Sequence, residues 1–78
     1  MQMRLKHEEG LPKKLKEGNT YRFVRNAPRS CVTGMPCYLF NGSDRGRPLA
    51  QIEITESTTD GEKTRGFFVV KSLYRWDK

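Results

Sequence analysis

A chain of 78 residues with 15 lysines and arginines against nine acids, and a net charge of +6, has room for one small domain and no second core. With 35% of its residues hydrophobic and 31% charged, that core must be compact, which argues against the deep, water-excluding pocket most catalysis needs. The longest apolar run, Phe67-Phe68-Val69-Val70, is far short of the roughly 18 residues of a membrane span, and Met1-Gln2-Met3-Arg4-Leu5-Lys6 leads into no apolar signal segment. The expectation is a cytoplasmic, monomeric chain with no membrane contact and reduced thiols.

In chain order, residues 1–18 read as a basic, partly mobile N-terminal arm. Leu5, Leu11 and Leu15 are too sparse for a helical stripe, and Gly10 with Pro12 interrupts any long helix. A short helical turn fits Pro12 to Glu17, because proline suits a first helical position and Gly18 suits a C-terminal cap.

Residues 19–78 read as a single small β-domain. Thr20-Tyr21-Arg22-Phe23-Val24-Arg25 is aromatic and β-branched, the composition of a strand. Asn26 to Pro36 is rich in turn formers and reads as a long loop, followed by a short strand at Cys37-Tyr38-Leu39-Phe40. From Leu49 to Glu56 the pattern alternates, with Ala50, Ile52 and Ile54 inward and Gln51, Glu53 and Thr55 toward water. Asp60-Gly61 is a hairpin signal, and Gly66 to Lys71, apolar on both faces, reads as a central strand. Ser72 to Trp76 either continues it or forms a short last strand.

A strand, a long irregular loop, a three-strand meander and a short last strand resemble, at the level of fold, an SH3-like barrel. The fold class is thus mainly all-β: a small antiparallel SH3-like barrel, or an open meander, of four to five short strands. An OB-like barrel is the runner-up, and an open meander with the N-terminal segment packed over one face comes third.

The residue inventory points away from catalysis. Glu53 and Glu56 are three apart on a strand and so are expected on opposite faces. His7 stands in the polar N-terminal segment, no serine has the setting of a nucleophile elbow, and the Gly42-to-Gly46 loop has no phosphate-cradling pattern. Cys31, Cys37 and His7 cannot supply a structural zinc site. A Cys31–Cys37 disulfide is open geometrically if Gly34 and Pro36 make a turn, but the cytoplasm favours two small, partly buried thiols. No enzyme activity, metal or cofactor is expected.

Charge carries the functional reading. Residues 1–50 hold ten of the basic residues and four of the acids, so the whole excess lies in that part of the chain. Lys13, Lys14 and Lys16 precede the first strand, Arg45-Gly46-Arg47 forks from a loop, and Arg22 and Arg25 interleave with Tyr21 and Phe23. Cations beside aromatic rings are how single-stranded nucleic acid is gripped and stacked. The candidate nucleic-acid-binding residues are therefore Lys13, Lys14, Lys16, Arg22, Arg25, Arg45 and Arg47 for phosphates, with Tyr21 and Tyr38 for stacking. The competing reading is a protein-interaction regulator or inhibitor, of the sort a phage or plasmid encodes, that binds an acidic surface of a larger protein. It requires an exposed apolar patch beside the charge, with Met35, Tyr38 and Trp76 as candidates.

Overall fold

The computed structural model of the chain describes residues 2–25, 33–42 and 46–74. They form one five-stranded sheet of order β1-β3-β4-β5-β2, with β1 at Gln2–Leu5, β2 at Thr20–Arg25, β3 at Pro36–Asn41, β4 at Ala50–Asp60 and β5 at Lys63–Leu73. Strands β3, β4 and β5 make the expected antiparallel meander, and β2 pairs antiparallel with β5. The expected strand at Thr20–Arg25 is present with those bounds, while the β4–β5 hairpin reverses through Gly61-Glu62, closed by the Asp60–Lys63 pair, one residue beyond the expected Asp60-Gly61.

Three expectations are corrected. The sheet is mixed rather than antiparallel, because β1 lies parallel to β3 with Met3 beside Leu39. It is also open: β1 and β2 are its two edges and are not bonded to each other, so no closed SH3-like barrel forms. Two of its strands, β4 and β5, run for 11 residues rather than being short.

The N-terminal segment differs most from its reading. Met3 and Leu5 alternate with Gln2 and Arg4, which is strand periodicity, and both apolar side chains are buried in β1. The helical turn lies at His7–Glu9, one turn of 3-10 geometry, and not across Pro12 to Glu17. Its start is fixed by Glu9, whose carboxylate accepts from the Lys6 amide at 3.0 Å. Its end is fixed by Gly10, at φ 112°, where an added Cβ would stand 2.5 Å from the Arg22 carbonyl oxygen. The turn thus carries the chain from the β1 edge against the backbone of the β2 edge.

One face of the sheet holds the core: Met3, Leu5, Phe23, Cys37, Leu39, Ala50, Ile52, Ile54, Phe68 and Val70. We call this the inner face. Residues 6–18 lie over it as a strap, with Leu11 buried in the same cluster and Leu15 packed against it. Burying a side chain of this size stabilises by about 1.5–3 kcal/mol, so the strap is part of the core that lets a single open sheet fold. Polar bonds fasten its end: the Gly18 amide donates to the Val70 carbonyl at 2.8 Å, and the Leu73 amide donates to the Glu17 carboxylate at 3.0 Å.

Two irregularities bend the long hairpin. The β4–β5 register slips between Gln51 and Ile52 and again between Ile54 and Glu56, leaving Lys71 and Thr55 as the extra residues. At the second slip the Thr55 hydroxyl donates to the Phe67 carbonyl at 3.3 Å. Gly66 is obligatory there, since a Cβ would overlap the Glu56 carbonyl oxygen.

Candidate nucleic-acid interface

The side of the sheet away from the core, the outer face, carries side chains from every strand. Because β-strand side chains alternate, burial of Met3, Leu39, Ile52 and Phe68 turns Arg4, Tyr38, Glu53 and Phe67 to the other side. On β1 and β3, Arg4 sits beside Phe40 in register, and its guanidinium lies 4.8 Å from the centre of that ring, a cation–π contact. Tyr38 lies one pair away, 42% exposed, and stacks on Tyr74 with centroids 6.4 Å apart and planes at 27°.

At the other end of the same face, Glu56, Phe67 and Arg22 stand side by side on β4, β5 and β2. Phe67 is 39% exposed, large for a phenylalanine in a domain with so few apolar residues to spare. The next row carries Arg65, whose guanidinium reaches the Asp60 carboxylate at 3.4 Å in an exposed pair of small energetic worth. Around these groups is an open groove of about 570 Å³, lined by Arg22, Glu56, Thr58, Asp60, Arg65 and Phe67 among others.

The bulge at Thr55 also corrects the reading of the two glutamates. Glu53 opposes Val69 and Glu56 opposes Phe67, so both lie on the outer face, because the extra residue reverses the alternation between them. Glu53 is engaged by Lys71 at 3.4 Å.

The residues expected to bind nucleic acid are divided between the two sides. Arg22 and Tyr38 are on the outer face. Lys13, Lys14 and Lys16 are exposed on the strap, across the sheet from Arg22, and do not join it in one patch. Arg25 follows Tyr21 and Phe23 on the inner side of β2, half-buried, with its Nε enclosed and unbonded. Tyr21 holds the fold together, since its ring packs 5.7 Å from that of Phe68 and its hydroxyl accepts from the Lys16 amide at 2.9 Å. It pins the strap rather than standing open as a stacking platform. Arg47 is exposed on the β3–β4 connection, while Arg45, Cys31 and Trp76 lie outside the described residues.

Sequence reasoning missed Phe67, Arg65, Arg4 and Glu56. For Phe67 a signal was present: it shares parity with Lys63, Arg65 and Lys71, so its side of β5 is the hydrated one. Arg4 was hidden because β1 was not recognised as a strand, and Glu56 because a bulge leaves no mark in the sequence.

Other chemistry has little to work with. Among the described residues, no group of three His, Cys, Asp or Glu side chains is placed to hold a metal ion. His7 Nδ1 lies 3.0 Å from the Leu11 carbonyl, which can only accept, so that nitrogen carries the proton and the ring serves the strap. Cys37 is buried, with its sulfur 3.8 Å from the Tyr38 carbonyl. No helix among the described residues is long and apolar enough to cross a membrane. Comparison with protein families, with curated proteins and with solved structures gave no match for this chain.

Proposed function

We propose that this protein is a non-catalytic module that binds single-stranded nucleic acid across the outer face of its sheet. The observation that carries the reading is the pairing of exposed rings with guanidiniums on that face: Tyr38 near Arg4 at one end, Phe67 beside Arg22 and Arg65 at the other. Exposed aromatic rings on a sheet are stacking platforms for bases, and every base has a face to offer them. The flanking arginines supply phosphate contacts, and the net charge of +6 draws a polyanion from a distance. Tyr38 and Phe67 are separated by five residues' length of strand and two strand spacings, about 16 Å along and 10 Å across, a span for a strand of several nucleotides rather than one base. In this reading the strap lysines Lys13, Lys14 and Lys16 add to the long-range field and touch no base, and Arg47 extends the cationic margin from the β3–β4 connection.

A protein partner with an acidic surface is the second reading, favoured by Met35, 51% exposed just before β3. The two are separated by fluorescence-anisotropy titration of labelled 12-nucleotide single strands and the matching duplexes at two salt concentrations. Single-strand binding at micromolar or lower concentration, with log affinity falling against log salt at a slope of about −2 to −3, fits three to four phosphate contacts. Absence of binding at low salt would refute the nucleic-acid reading and leave the protein partner.

A further inference from the structure

The groove around Phe67 has a more particular chemistry than a general stacking platform. In register across three strands stand a carboxylate, a phenyl ring and a guanidinium: Glu56, Phe67 and Arg22. The bulge at Thr55 creates this row, since regular alternation would have turned Glu56 to the inner side. Glu56 and Arg22 are separated by two strand spacings, about 10 Å, with the ring between them. Neither forms an ion pair or a side-chain hydrogen bond with another described residue, whereas the neighbouring Glu53 and Arg65 are already paired with Lys71 and Asp60. The groove's volume of about 570 Å³ is within the range of small-ligand sites.

From this row we infer that the groove is a subsite for a single unpaired guanine within the bound strand. The inference rests on the single-strand reading above and deepens it. A base stacked on Phe67 presents one edge toward Glu56 and its sugar-phosphate toward Arg22, which forks onto the phosphate oxygens. An ionised carboxylate only accepts hydrogen bonds, so it selects the edge richest in adjacent donors. Guanine offers two, the N1–H and the N2 amino group, spaced to meet the two carboxylate oxygens together. Adenine and cytosine each offer a single amino group beside a ring acceptor, and uracil offers one N–H between two carbonyls that repel the carboxylate. Glu56 is therefore a specificity-determining residue, and Phe67 with Arg22 holds any base.

The test is anisotropy titration of labelled ten-nucleotide RNAs: all-uridine, and the same strand with one central guanosine, adenosine or cytidine. The expected result is a guanosine strand bound at least about fivefold more tightly than the other three, the lower end of a bidentate base contact. Glu56→Gln should abolish that preference without lowering the all-uridine affinity, since it removes the carboxylate that repels uracil, and Phe67→Ala should weaken all four strands together. Equal affinity for the four strands would overturn the guanine subsite while leaving single-strand binding in place. A preference that survives Glu56→Gln would overturn the assignment to that residue. Binding of none of the strands would overturn the functional reading itself, and the inference with it.

Discussion

The two faces of one sheet use similar residues for opposite purposes. On the inner face Tyr21, Phe23 and Phe68 form a tilted aromatic chain, with centroids 5.7 and 6.2 Å apart, sealed by Leu11 and Leu15 of the strap. On the outer face Tyr38, Phe40 and Phe67 lie among arginines, and two of the three are more than a third exposed. A chain with so few apolar residues gains about 1.5–3 kcal/mol from each large side chain it buries, so leaving rings in water forgoes stability that a small domain needs. Inner aromatics stabilise the fold. In the proposed function the outer aromatics are the contact surface.

This comparison can be broken by substitutions that should act on one side only. The largest effect is expected from Phe68→Ala, where loss of a fully buried ring costs about 3–5 kcal/mol. A domain of this size is stable by only about 4–12 kcal/mol, so urea titration should find the variant's midpoint lowered by a large fraction of its wild-type value. Leu11→Ala should follow at about 2–4 kcal/mol if the strap belongs to the core; a loss below about 0.5 kcal/mol would detach it from the inner face. Gly10→Ala meets both a positive φ and the Arg22 carbonyl, and should lower stability by about 1–3 kcal/mol.

Outer-face changes should read differently. Phe67→Ala is expected to change the urea midpoint little, yet to weaken single-strand binding by about 1–3 kcal/mol, roughly fivefold to 150-fold. Smallest of all is Asp60→Asn, which removes an exposed ion pair with Arg65 and should shift stability by less than about 0.5 kcal/mol.

Much of the inner face could be read from the sequence. Thr20–Arg25 and the alternation of Ala50, Ile52 and Ile54 announce strands because each has one dry side, and Asp60-Gly61 announces its hairpin. What could not be read is what depends on partners distant along the chain. Gln2–Leu5 is too short to declare itself, and becomes a strand only because Leu39 and its neighbours in β3 receive it. The bulge at Thr55 likewise arises from the pairing of β4 with β5, and it decides which way Glu56 faces. The cations illustrate the same limit: clustering along the chain suggested a single basic surface, but the sheet stands between Lys14 and Arg22. Tyr38 was legible as an exposed ring, whereas Tyr21, with the same chemistry, is taken up by Lys16 and Phe68.

The most direct test of this division of labour is an NMR titration of isotope-labelled protein with an unlabelled 12-nucleotide single strand, following backbone amides and arginine side chains. Shifts should centre on Arg4, Tyr38, Arg22, Arg65 and Phe67, with Leu11, Leu15 and the strap lysines nearly unmoved. Shifts concentrated on Lys13, Lys14 and Lys16, with the outer face silent, would contradict it and transfer binding to the strap.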